Sequence, residues 1–88
     1  MSAQPLEWQP LWDAMDANPQ AWIPTTEDMY WHMLGAVPPR AMRGDSFLVG
    51  EPLRANAQGE TIYACFTRTG DSFRARNLTV RQFHEVHQ

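Results

Sequence analysis

The chain has 88 residues, a formal net charge of −3, and 43% apolar against 19% charged residues. Such a composition suits one folded globule and excludes wholesale disorder. A domain this short buries only about 60–65% of its unfolded surface and has no room for a large internal substrate cavity. The apolar runs are too short to span a bilayer, and the acidic balance weighs against a dedicated nucleic-acid binder, whose affinity comes from neutralising phosphates.

The N-terminal MSAQPLEWQP has neither a basic n-region nor an apolar h-region. No secretory signal is read there, and a cytoplasmic location is expected. Residues 1–7 are expected to be disordered. Trp8, Trp12 and Met15 then recur at helical spacing with Leu11 beside them, and Pro10 is tolerated in a first turn. The spacing predicts a helix over about 9–17, ended by Asn18-Pro19, because the residue before proline avoids the helical region. Residues 20–24 read as a connector carrying Trp22 and Ile23.

Thr25-x-x-Asp28 resembles a capping box, with Glu27 and Asp28 in a first turn where the helix dipole favours them. A second helix is expected over 26–35. Its apolar stripe is Met29, Tyr30, Met33, Leu34 and Val37, and Gly35 and Pro38-Pro39 end it. Trp31 and His32 fall off that stripe, on opposite sides.

Residues 40–46 read as a turn with Arg43-Gly44-Asp45 at its tip. FLVGEPL, 47–53, reads as a strand at a sheet edge, since Pro52 has no N–H to give a ladder. A polar loop over 54–60 leads to TIYACFTRT, 61–69, the strongest strand of the chain. Gly70-Asp71 fits a two-residue turn with Gly first, and SFRARN, 72–77, returns as the third strand. With Thr69 opposite Ser72, Phe66 faces Ala75, Ala64 faces Asn77 and Arg68 faces Phe73. Ile62, Ala64, Phe66, Phe73 and Ala75 then share the face expected to meet the helices. The other face carries Tyr63, Cys65, Thr67, Arg74, Arg76 and Leu78. Thr79-x-x-Gln82 is a second capping box and opens a short helix over 80–87. The expected architecture is one α+β domain over 1–88. Two N-terminal helices precede a three-stranded antiparallel meander, and a short C-terminal helix closes it.

Charge is unevenly spread. Residues 1–39 hold five carboxylates and no basic side chain, while all seven basic residues are Arg and lie between Arg40 and Arg81. The simplest expectation is that the two halves attract on folding, with Arg74 and Arg76 paired to Glu51 or to helix carboxylates. Arg forks onto carboxylates and suits ion pairs and interfaces.

No catalytic signature is present. Cys65 is the sole cysteine, set mid-strand among apolar neighbours, which suits a buried inert thiol rather than a nucleophile. Ser46 and Ser72 lack a GxSxG context. His84 and His87 form the only close ligand pair, short of the four ligands a closed zinc site needs. No metal, no cofactor and no enzymatic activity are expected.

The unusual feature is four tryptophans within the first 31 residues: Trp8, Trp12, Trp22 and Trp31. A core this small does not absorb all of them, and Trp, Tyr, Met and Arg are enriched at interface hot spots. The leading expectation is a non-enzymatic protein-binding or self-associating module. Trp31, with Trp12 or Trp22, would anchor it, with Arg74 and Arg76 as its polar rim. An exposed edge at 47–53 or 72–77 offers a backbone route to the same end. The alternative is a nucleic-acid-binding accessory protein using Tyr63, Arg68, Arg74 and Arg76 as a stacking platform, a reading the net charge disfavours.

The runs MYWHMLGAVPPRAM, FLVGEP and IYACF together resemble a family of small proteobacterial proteins of unknown function carried on plasmids and prophages. Its pattern is a helix ending in ML-x-x-x-PP-x-x-M, then FLVGEP, then a strand with an aromatic pair and a last strand before a short helix. The resemblance covers Met29–Phe83. It implies no activity and no cofactor. It does imply a mobile-element setting, in which small acidic Trp-rich proteins bind host or defence proteins, CRISPR effectors among them.

Overall fold

The computed structural model describes residues 9–36 and 38–86, with the side chains of 50–53 outside the description. The expectations for residues 1–7, Trp8, Val37 and His87 therefore lie outside the described residues. The elements run α1 (Gln9–Ala17), β1 (Ile23–Thr25), α2 (Glu27–Ala36), β2 (Ala41–Arg43), β3 (Ser46–Ala55), β4 (Thr61–Thr69), β5 (Ser72–Leu78) and α3 (Val80–Val86).

The class is α+β, but a three-stranded meander is not what forms. The sheet has five antiparallel strands in the order β1-β5-β4-β3-β2. Both additional strands are three residues long and lie at the edges. β1 lies beside β5 with Pro24 opposite Arg74, a proline in strand that an edge position tolerates. β2 pairs back onto β3 through a Gly44-Asp45 turn, Gly44 having φ +60°. The second hairpin uses the same device: Gly70, also at φ +60°, lets Thr69 sit opposite Ser72. Positive φ at the first turn position matches the right-handed twist of the flanking strands.

The expected register of β4 with β5 holds throughout: Phe66 lies opposite Ala75, Ala64 opposite Asn77 and Arg68 opposite Phe73. Strand β3 is only partly an edge, because β2 covers residues 46–48. Its pairing with β4 shifts register between Val49 and Arg54, the stretch that contains Gly50 and Pro52.

Both sheet faces are covered, and they take different helices. On the first, Leu11, Trp12 and Met15 of α1 and Met29, Tyr30 and Met33 of α2 bury against Phe47, Val49, Ala64, Phe66 and Ala75. The Phe47 and Phe66 rings stack at 5.6 Å with 14° between planes. On the second, Phe83 of α3 seals Leu48, Cys65 and Leu78, with Trp22, Tyr63 and Val80 packed around them. Each fully buried side chain of this size contributes about 1.5–3 kcal/mol.

The helix ends follow their capping residues. Asn18 closes α1, its side-chain Nδ2 donating to the Ala14 carbonyl at 3.0 Å. The cap of α2 is Thr26 rather than Thr25: the Met29 N–H donates to Thr26 Oγ1 at 3.1 Å, while Thr25 ends β1. At α3 the capping box closes in both directions. The Gln82 N–H donates to Thr79 Oγ1 at 3.1 Å, and the Thr79 N–H donates to Gln82 Oε1 at 2.9 Å.

Candidate functional site

The three described tryptophans have three different fates. Trp12 is 5% exposed, edge-on to Phe66 at 6.2 Å, with the Arg54 guanidinium 5.1 Å above its ring. It is a core residue, not an interface anchor. Trp22 is half-buried against the α3-side cluster, with the Arg76 guanidinium 5.9 Å from its ring centre. Trp31 is 48% exposed. Its indole Nε1 donates to Glu27 Oε2 at 3.3 Å, one helical turn back, and its ring meets Tyr30 edge-on at 5.0 Å.

Tyr30 is the hub behind Trp31. Its ring also contacts Phe47 at 5.1 Å and Phe73 at 5.2 Å, and its hydroxyl donates to the Asp45 carbonyl at 2.5 Å. Burial raises the phenol pKa, the Asp45 carboxylate raises it further, and the Arg68 cation works against both. Directly across from Phe47 on β2 is Met42, 56% exposed. Strand pairing thus puts Met42 on the face that carries α2. Among the described residues, Trp31 and Met42 are the large apolar side chains left open toward the Gly44/Gly70 end of the sheet.

The expected Arg and aromatic platform does not gather into one surface. Tyr63 is half-buried under α3, and Arg76 is held over Trp22. Arg68 approaches Asp45 at 3.9 Å, and Arg74 is exposed opposite Thr67. Neither Arg74 nor Arg76 has a carboxylate within 4.0 Å among the described residues, so the expected ion pairs with helix acids do not form there. The one ion pair joining the acidic and the Arg-rich halves among the described residues is Asp16–Arg54, at 2.7 Å.

A second region carries polar chemistry. At the other end of the strands, beside the 56–60 loop, a cleft of about 780 Å³ opens between α1, the ends of β3 and β5, and α3. Asp16, Arg54, Arg76 and Asn77 all line it. Asp16 Oδ1 accepts from Arg54 Nη1 and from Asn77 Nδ2, both at 2.7 Å. Three buried side-chain atoms among the described residues have no hydrogen-bond partner: Arg54 Nε, Arg76 Nε and Asn77 Oδ1. All three belong to residues that line this cleft, although the atoms themselves are shielded from solvent. Each such atom left unpaired costs on the order of 1–3 kcal/mol. Sequence spacing could not join positions 16, 54 and 77. The one legible signal was Asn77, a polar residue whose register puts it on the helix-facing side opposite Ala64.

Of the three nucleophile candidates, Ser72 is exposed at the start of β5 and the other two are occupied or shielded. Cys65 is fully buried, and burial pushes its thiol up to about 12 despite the opposing Arg76 cation. Ser46 is buried, its hydroxyl 2.7 Å from that of Thr67. Among the described residues no three His, Cys, Asp or Glu side chains are grouped to hold a metal ion, and no helix is long and apolar enough to cross a membrane.

Compared with protein-family models, with curated proteins and with solved structures, the chain matches none.

Proposed function

We propose that this protein is a small non-enzymatic binding module whose anchor is Trp31 and whose partner is another protein. The supporting observation is that Trp31 is 48% exposed on a helix whose neighbouring residues Met29, Tyr30 and Met33 are buried. A large apolar ring held open to water forgoes burial energy, and its rotamer is already restrained by Glu27 and Tyr30. A pre-ordered indole loses little entropy on docking, which is why Trp is enriched among residues that dominate binding energy. Met42 extends the apolar contact on the same face, and Met adapts its shape to irregular partners. Trp12 and Trp22 support the fold and do not join the anchor. The resemblance to plasmid- and prophage-borne proteins directs the search for the partner to host and defence complexes, CRISPR effectors included.

The test is capture from host lysate by wild type, Trp31→Ala and Met42→Ala, with circular dichroism to confirm equal folding. Size exclusion over a range of concentrations separates a heterologous partner from a second copy. Recovery of the same proteins in equal yield by wild type and Trp31→Ala would refute the assignment.

A further inference from the structure

We infer that, with Trp31 as the anchor proposed above, the partner it grips is a basic protein segment that lays an arginine over the indole face, beside the carboxylates of Glu27 and Asp28.

Two of the three described tryptophans already carry a cation from their own chain. The Arg54 guanidinium lies 5.1 Å from the Trp12 ring centre, and that of Arg76 lies 5.9 Å from the Trp22 ring centre. Among the described residues no guanidinium stands over Trp31, the most exposed of the three. The indole face attracts a cation more strongly than any other side-chain ring, and Arg supplies that cation more often than Lys.

The charge around the ring selects the same partner. A helical side chain leans back toward the N-terminus, over the residues three and four positions before it. For Trp31 these are Asp28 and Glu27, both exposed. Glu27 Oε2 accepts from the indole Nε1 at 3.3 Å, so the carboxylate and the ring are held side by side. A carboxylate has room for further donors after the first. Neither Glu27 nor Asp28 has an Arg within 4.0 Å among the described residues, and α2 contains no Lys or Arg. Arg68, the cation that acts on neighbouring Tyr30, faces Asp45 at 3.9 Å instead. A phosphate backbone would meet these two carboxylates with like charge. An arginine meets them with opposite charge: its flat guanidinium stacks on the ring while its donors fork onto carboxylate oxygen.

The experiment is a titration of the whole protein, labelled with nitrogen-15, followed at the Trp31 indole Nε1–H resonance, which is identified by its loss in Trp31→Phe. The probe is the blocked peptide acetyl-Leu-Arg-Gly-Arg-Leu-amide, whose leucines suit the exposed Met42. Citrulline in place of arginine keeps the shape and removes the charge, and glutamate reverses it. The arginine peptide is expected to move the Trp31 resonance to saturation. The citrulline peptide should bind about tenfold more weakly, and the glutamate peptide should not bind. Glu27→Gln keeps an acceptor for the indole N–H and should weaken the arginine peptide about threefold, the loss of one exposed ion pair. If Glu27→Gln does not fold, Asp28→Asn takes its role with the same expectation. Equal binding of the citrulline peptide, binding of the glutamate peptide, undiminished binding by the folded variant, or no saturable movement with arginine would each overturn the inference. Concentration-dependent dimerisation that Trp31→Ala abolishes would assign the surface to a second copy and overturn it as well. The anchor itself is judged separately in the lysate capture. Proteins lost by Trp31→Ala but kept in full yield by Glu27→Gln would leave Trp31 as the anchor and remove the basic partner.

Discussion

Raising the pH through the titration of Cys65 is expected to unfold the domain from the inside. The thiol is fully buried among Leu48, Leu78 and Phe83 on the α3 side of the sheet. Burial raises its pKa from 9.0 to about 12, and the Arg76 cation offsets only part of that. Because the folded-state value is the higher one, the stabilising contribution is complete below pH 9. It is lost as the pH climbs from there through 12, since the unfolded chain gives up the proton first. A rise of that size, at about 1.4 kcal/mol per pH unit, amounts to about 4 kcal/mol. The whole domain, at about 0.05–0.15 kcal/mol per residue, has little more than this to lose at the low end. The assay is urea unfolding followed by tryptophan fluorescence from pH 8 upward, for wild type and Cys65→Ala. With a urea dependence of about 1–3 kcal/mol per molar, the wild-type midpoint should fall by more than about 1 M across the window. Cys65→Ala starts less stable, for want of the sulfur, but lacks this component of the slope. Tyr30 titrates in both proteins and cancels in the comparison. Parallel pH profiles for the two, or rapid modification of Cys65 by a thiol reagent at pH 8, would refute the reasoning.

Thr79→Ala removes the hydroxyl that accepts from Gln82 and should cost about 1 kcal/mol, read as a lower thermal midpoint and faster amide exchange in α3. Thr26→Ala should destabilise α2 by a similar amount, whereas Thr25→Ala leaves the cap intact. Gly70→Ala places a side chain at φ +60° and should cost about 1–2 kcal/mol in urea unfolding, although nothing within 4 Å would touch the added methyl. Asp16→Ala leaves Arg54 and Asn77 without their shared acceptor and should destabilise by about 1–3 kcal/mol in urea unfolding.

The part of the fold that could be read from residues is the part with strict local chemistry. Gly70-Asp71 fixes a two-residue turn, and from that turn every pair between β4 and β5 follows. Thr79 and Gln82 are the two ends of one four-residue motif and cap each other as the motif requires. Gly44-Asp45 carries the same turn signal, yet its partner strand is only Ala41–Arg43, too short to show alternation. Pro24 reads as a breaker until an edge position makes its missing N–H harmless. Adjacent threonines at 25 and 26 make the cap slip by one residue. Nothing in the Val80 and Phe83 spacing says which sheet face α3 will cover, and its choice of the Cys65 face leaves Tyr63 and Arg76 half-buried. Of the tryptophans, Trp31 was legible because it falls off the apolar stripe of its helix, and Trp12 lies on the stripe of α1. The cleft was not legible, since Asp16, Arg54 and Asn77 meet only through the packing of α1 across the ends of β3 and β5.

The role proposed for Trp31 is tested most directly by partner affinity for wild type against Trp31→Ala, each shown to be equally folded. Removing a hot-spot indole costs about 2 kcal/mol or more, so affinity should fall at least about 30-fold while the urea midpoint stays near that of the wild type. Unchanged affinity in a folded Trp31→Ala protein would contradict it.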